Sequence, residues 1–271
     1  DLGRRSIVRP GVKLWPDKRV ETASWVDSSL VWGRKSRRGL FGSDGIAGLP
    51  NIDLTPEIAA KVGAAFGSVV AGSRPKVEAG APDANKPVVL VSSDASHASQ
   101  MLKTAIASGI VSAGIDVGDL GVVPIPVTRG SARTANAFAA HISAGREDEP
   151  LSLIRFFDRT GRKISRDLER KVESAFARED FSRAAPDSAG RISHSPGASE
   201  AYVKDLLGSI DREIIREAGL AICGSWPPAM EESVRGLLQG LGCRVIPGNP
   251  SDASTPPVSY THLTLPTNRE V

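Results

Sequence analysis

The chain has 271 residues, 40% of them hydrophobic and 24% charged, enough for one large or two ordinary domains with cores of their own. Its 34 basic and 31 acidic side chains nearly cancel, which gives no support to nucleic-acid binding, and no apolar run approaches the ~18 residues of a membrane span. The expectation is a globular, cytoplasmic protein with neither nucleic acid nor membrane as partner, in which Cys223 and Cys243 are reduced thiols of a buried core.

In chain order, Val8, Leu14, Val20, Val26 and Trp32 are spaced six apart, with turn signals at Pro10-Gly11 and Pro16-Asp17 between them. A period of six marks the hexapeptide left-handed β-helix, whose aliphatic residues fill the axis of a triangular coil. An ordinary β meander is the other arrangement the spacing allows. One or two coils do not stand alone, so residues 1–37 are expected to be the end of a longer solenoid plus a linker, the basic run GRKSRRG at 33–39 being a solvated connector.

After the linker the pattern becomes α/β. Thr55 can cap a helix with Pro56 at its first position and Glu57 at the positive end of the dipole, with Ile58, Val62, Phe66 and Val69 on one face. Residues 87–91 read as a strand and 99–113 as a helix with Met101, Leu102, Ala105, Ile106 and Ile110 inward. Strands at 115–120 and 138–143 enclose a short helix after Pro126, and a strand at 151–157 ends in the turn Asp158-Arg159-Thr160-Gly161 before a helix at 166–178. Strands alternating with helices predict a largely parallel or mixed sheet covered on both faces. The Ser, Pro, Gly and Asp content of 181–198 predicts a linker between a first domain, 38–180, and a second unit, 199–256. That unit carries a helix at 199–207, a strand at 220–223, a helix at 229–241 and a strand at 244–246.

The stretch LFGSDGIAGLPN at 40–51, followed by LTPEIAAKVGAAFGS, closely resembles the opening of the α-D-phosphohexomutase family, the phosphoglucomutases, phosphomannomutases and phosphoglucosamine mutases. MLKTAIASGIVSAGIDVGDLGVVPIP, IRFFDRTGRKIS, AYVKDLL and GLGCRVIPGNP match in the family's order, so the resemblance runs from about residue 40 to about residue 250. It implies an α/β/α domain I and the beginning of domain II. It also implies an intramolecular phosphotransferase chemistry in which a phosphoserine in a SASHNP loop passes phosphate to one sugar hydroxyl and recovers it from another, with Arg, Lys and Mg²⁺ stabilising the moving charge.

Placed by its flanks, that loop is HISAGREDEPLSLIRFF here, so the phosphoserine position is Gly145, the histidine Arg146 and the asparagine Glu147. Ser143 lies two residues earlier, where the family also has a serine without the phosphoryl role. Glu147, Asp148 and Glu149 bring negative charge to a place where a phosphosugar would arrive. The family's TDGIRG arginine is Ala47, its GRDxR becomes Ser92-Ser93-Asp94-Ala95-Ser96, and its PTP becomes Pro124-Ile125-Pro126. The resemblance thus predicts no catalytic residue and no cofactor in this chain, the Mg²⁺ loop of active members having no counterpart in it. Ser193-His194-Ser195-Pro196-Gly197 imitates SHNP but falls in the expected linker, as a turn leading to a helix.

The altered loop, the AREDFSRA segment and the six-residue period before LFG together resemble one bacterial subgroup, the mannose-1-phosphate guanylyltransferase fusion proteins. That resemblance implies an upstream nucleotidyltransferase domain as partner, a homo-oligomer, and a catalytically silent mutase-like module that scaffolds or senses a phosphosugar. An active phosphomannomutase or phosphoglucomutase is the alternative. The last residues, 257–271, resemble the translation of a sequencing-library adapter and are expected to carry no function.

Overall fold

The computed structural model describes residues 4–8, 10, 25–26, 39–72, 88–145, 151–224, 226 and 228–247. Leu14, Val20, Trp32, most of the basic linker and the segment 257–271 lie outside the described residues. The chain divides into two compact units between Ala198 and Ser199.

In the first unit, β1 (Ile7–Val8) and β2 (Trp25–Val26) form a two-stranded parallel pair with Ile7 opposite Trp25. The main sheet is built from β3 (Ile46–Gly48), β4 (Val88–Ser93), β5 (Asp116–Val122), β6 (Phe138–Ala144), β7 (Ser152–Phe157) and β8 (Ile192–His194), in the order β3-β7-β6-β4-β5-β8. β6, β4, β5 and β8 run parallel, and β7 is antiparallel to both β6 and β3. The helices are α1 (Pro56–Gly72), α2 (His97–Ser112), α3 (Ile125–Thr134) and α4 (Arg166–Arg178).

Strand alternation divides β4 between two faces. Val89 and Val91 join the main core with Val62 and Phe66 of α1, Leu102, Ile106 and Ile110 of α2, and Ile142, Ile154 and Phe156 of the neighbouring strands. Phe66 is its centre, stacked on Phe156 at 4.3 Å between centroids and meeting Phe138 edge-on at 6.0 Å. The inward stripe of α1 is wider than the four residues expected, because Ala59, Ala65 and Val70 are also buried, while Ile58 and Val69 sit at its margin. On the other face Ser92 meets Thr128 of α3.

α1 and α2 pack main chain to main chain. A Cβ on Gly109 would lie 2.0 Å from the Ala60 carbonyl oxygen and 2.7 Å from the Ala64 nitrogen, and one on Gly63 would lie 2.3 Å from the Ile106 carbonyl oxygen. Only hydrogen in place of a side chain permits that approach. The capping residues match their positions: Thr55 Oγ1 accepts from Ile58 N–H, Ser96 Oγ from Ser99 N–H, and Ser165 Oγ from Leu168 N–H.

Two expectations for 181–198 are corrected. The segment 181–198, expected as a linker, contributes β8, the sixth strand of the sheet. Its residues are too polar to read as a strand because all three are exposed at an edge. They are held by backbone bonds, Val117 N–H to Arg191 O at 2.8 Å and Ser195 N–H to Asp119 O at 2.9 Å. The carboxylate of Asp119 in turn binds Lys103 of α2 through both oxygens, at 2.7 and 2.9 Å. Ser193 and His194 are therefore strand residues rather than a turn. β3 has no periodic signal in its three residues and emerges only from its pairing with β7.

The second unit contains α5 (Ala198–Ser209), α6 (Arg212–Glu217), β9 (Ala221–Gly224), α7 (Pro228–Gly240) and β10 (Arg244–Pro247). β9 and β10 pair in parallel with Ala221 opposite Arg244. α6, unread in the sequence, is a helix of six residues capped by Asp211, whose side chain accepts from Glu213 N–H. Cys243 is buried, whereas Cys223 is exposed on the outward side of β9, so only one of the two thiols belongs to a core.

Gly109→Ala is expected to lower stability by about 2 to 3 kcal/mol, since an added methyl would force the helix backbones apart. Gly72→Ala, with nothing within 4 Å of the added carbon, is expected to leave stability within about 0.5 kcal/mol. Urea unfolding of both variants beside the parent chain measures the difference.

Candidate functional site

The carboxyl ends of β4 and β6 bring together Asp94, Ser143 and Gly145, and β7 adds Arg155 from the antiparallel side. Register sets this cluster. His141 stands opposite Arg155 and Ser92 opposite His141, so side chains of three adjacent strands share the face on which α3 lies. Ser143, two residues beyond His141, projects from that face as well.

Arg155 is the charged centre. Its Nη1 donates to Ser143 Oγ at 2.7 Å and its Nη2 to Asp44 Oδ2 at 2.6 Å, a fork shared between a hydroxyl and a carboxylate. The hydrogen bond from Arg155 holds the Asp44 carboxyl below its ordinary range, against the opposing effect of partial burial. Nearby, Lys163 donates to Ser43 O at 2.9 Å and pairs with Glu169 at 2.9 Å.

Under this fork lies a polar cluster. His141 Nδ1 is 2.9 Å from Ser92 Oγ and 3.2 Å from Thr128 Oγ1, and the two hydroxyls are 2.7 Å apart. Burial pushes the imidazole down to about 4; the positive charge of Arg155 adds to the fall and Asp94 opposes it. His141 is therefore neutral near neutrality.

Asp94 ties the loops. One carboxylate oxygen accepts from Ser96 N–H at 3.0 Å and the other from Ala144 N–H at 2.6 Å, while Asp94 N–H donates to Ile142 O at 3.0 Å. Gly145 N–H donates to Leu151 O across the base of the loop.

Of the positions singled out in the sequence, Ser143 and Gly145 stand at this edge of the sheet, and Arg146, Glu147, Asp148 and Glu149 lie outside the described residues. Ser143 is nearly buried and its oxygen is engaged by Arg155, so it is not a free hydroxyl at the mouth of the loop. β8, with Ser193 and His194, is separated from β6 by β4 and β5 and does not reach the cluster. Arg155, Asp44 and His141 were not singled out as site residues. Their signal was an arginine and a histidine set inside otherwise apolar strands, where an ionisable group calls for a partner. Among the described residues no group of three or more His, Cys, Asp or Glu side chains converges to hold a metal ion, and no helix is long and apolar enough to cross a membrane.

The profile of phosphoglucomutase/phosphomannomutase, alpha/beta/alpha domain I, matches residues 38–183. The chain belongs to the phosphoglucomutase/phosphomannomutase family. It is 34% identical over 178 residues to the phosphoglucosamine mutase of Cutibacterium acnes, covering 64% of this chain and 37% of that one. It is 30% identical over 212 residues to the phosphoglucomutase/phosphomannomutase of Thermococcus kodakarensis, covering 78% of this chain and 44% of that one. The chain thus spans less than half the length of these curated relatives. Its fold resembles a phosphoglucomutase/phosphomannomutase family protein from Burkholderia thailandensis, with TM-score 0.59 at 20% identity over 77% of this chain and 43% of that one. It likewise resembles parafusin, a phosphoglucomutase from Paramecium, with TM-score 0.59 at 11% identity over 84% of this chain and 47% of that one. The matched domain I contains the whole Asp44, Asp94, Ser143 and Arg155 cluster.

The depressed His141 sets a pH dependence. The unfolded imidazole takes a proton near 6.5 and the folded one only near 4, so stability is constant above that window and falls as pH drops through it. The loss reaches roughly 3 kcal/mol at its acid end. Asp44 acts in the same sense in a lower window, stabilising above its unfolded value of 3.8 and losing that contribution as pH falls below it. His141→Gln is expected to flatten the urea-unfolding midpoint between pH 6.5 and 4 relative to the parent.

Proposed function

We propose that the protein carrying this chain is a phosphohexomutase, an intramolecular phosphotransferase acting on hexose phosphates, and that residues 38–198 are its sugar-phosphate-handling first domain. The observation that carries this reading is the Arg155 fork, pinned by Asp44 and aimed at Ser143 two residues before the loop's phosphoserine position. Phosphoryl transfer depends on fixed positive charge more than on covalent assistance, and a guanidinium held on both arms has little reorganisation left to undergo. The mutase relatives support the same reaction class.

Gly145 has no hydroxyl, so on this reading the phosphoryl-carrying group comes from another part of the protein. That same residue, with Ala47 in place of an arginine, favours a second reading: a silent, phosphosugar-sensing module of a mannose-1-phosphate guanylyltransferase fusion. The pairing of Ile7 with Trp25 supports a hexapeptide solenoid before the domain, because an offset of 18 residues is one triangular coil of three six-residue sides. In that arrangement the upstream nucleotidyltransferase and a second copy of the chain are the partners.

Incubation of the full-length protein with labelled glucose 1,6-bisphosphate separates the two. A stable phosphoprotein, or interconversion of hexose 1- and 6-phosphates, is expected from a mutase. Neither product, together with GDP-mannose formed from mannose 1-phosphate and GTP, would establish the silent module. In either case Arg155→Ala is expected to weaken hexose-phosphate binding ten- to a hundredfold, in line with loss of a charge-assisted hydrogen bond, as read by calorimetry.

A further inference from the structure

We propose that Asp94 is the positioning residue of this site: its carboxylate sets where the loop that carries Gly145 leaves the sheet. β6 ends at Ala144, and the residue that follows, Gly145, is where the family resemblance sets the phosphoserine position. Asp94 grips the strand on both sides of Ser143. Its N–H donates to Ile142 O at 3.0 Å, and its Oδ2 accepts from Ala144 N–H at 2.6 Å. The backbone bond continues the β4–β6 ladder; the side-chain bond takes over where the ladder has no further partner.

The second carboxylate oxygen connects this grip to α2. It accepts from Ser96 N–H at 3.0 Å, and Ser96 caps the helix through its own hydroxyl at 3.1 Å from Ser99 N. One carboxylate therefore fixes both the first turn of α2 and the last peptide of β6. Arg155 secures Ser143 from the β7 side, so Ser143 is held through its main chain by Asp94 and through its side chain by Arg155. Asp94 itself is only partly buried, and an ionised acceptor of two N–H groups is stronger there than a neutral one.

The consequence is specific. Removing the carboxylate frees the Ala144 N–H on the β4 side and leaves the loop base to pivot on its β7 side, where Gly145 N–H still donates to Leu151 O, while β4 keeps its pairing through the backbone. The functional part of the proposal rests on the phosphohexomutase reading; the positional part does not.

The test uses the 271-residue chain and two variants. In Asp94→Ala, amide hydrogen exchange at Ala144 and Gly145, followed by NMR, is expected to accelerate at least tenfold, with Val89, Val91 and Ile106 unchanged. Asp94→Asn, which keeps an oxygen acceptor, is expected to restore at least part of that protection. Binding of glucose 1-phosphate, read by calorimetry on the same samples, is expected to weaken in Asp94→Ala and recover in Asp94→Asn. Unchanged exchange at Ala144, or acceleration spread through β4 and α2, would overturn the positional role. Localised acceleration with undiminished sugar-phosphate binding would overturn the link to function. If the parent chain binds no sugar phosphate, the mutase reading of this domain fails, and the exchange pattern alone decides the role of Asp94.

Discussion

The close contact of α1 and α2 is the constraint on which the rest of the first unit depends. Gly63 and Gly109 let the two backbones touch, and the helices then lie as one slab over the sheet. That slab seals Phe66 against Phe156 and Phe138, and so fixes the spacing of β6 and β7 beneath it. With α2 anchored along its length, its first turn is delivered to the end of β4, where Ser96 and Asp94 close it. The loops above the sheet inherit their positions from a packing surface on its far side.

On the opposite face the chemistry is electrostatic. Arg155, drawn from an antiparallel strand, meets Asp44 and Ser143 and lies next to a histidine that burial keeps uncharged. A neutral imidazole bonded to two hydroxyls adds no second positive charge beside the guanidinium. The fork is partly open to solvent through Asp44, which is well exposed, while the cluster beneath it is closed. A cation set at such a boundary is strengthened by the low dielectric below and remains reachable from above.

Family membership and the sequence of the loop pull in different directions. The domain I match is continuous over 38–183, and the sheet brings Ser143, Asp94 and Arg155 together at one edge within it. The resemblance, by contrast, sets the phosphoserine position at Gly145 and the arginine of the opening motif at Ala47. The Arg155 fork stands at the edge of the sheet where the chain leaves β6 for Gly145.

Much of the architecture was legible in the residues themselves. Thr55-Pro56 opens α1, the 3.6-residue stripe of Leu102, Ile106 and Ile110 marks α2, and Gly145 at the loop is a matter of composition alone. Such features are local: capping, periodicity and the presence or absence of a hydroxyl are properties of neighbouring positions along the chain. What only the tertiary structure decided is non-local. β3 and β8 are strands because of the strands beside them, and the close approaches of Gly63 to Ile106 and of Gly109 to Ala60 join two helices. Arg155 serves Ser143 because antiparallel register sets it opposite His141 and two residues short of that hydroxyl. The sequence by itself determined which groups the site possesses. Which of them meet was decided by strand pairing, since register assigns partners that no spacing along the chain encodes.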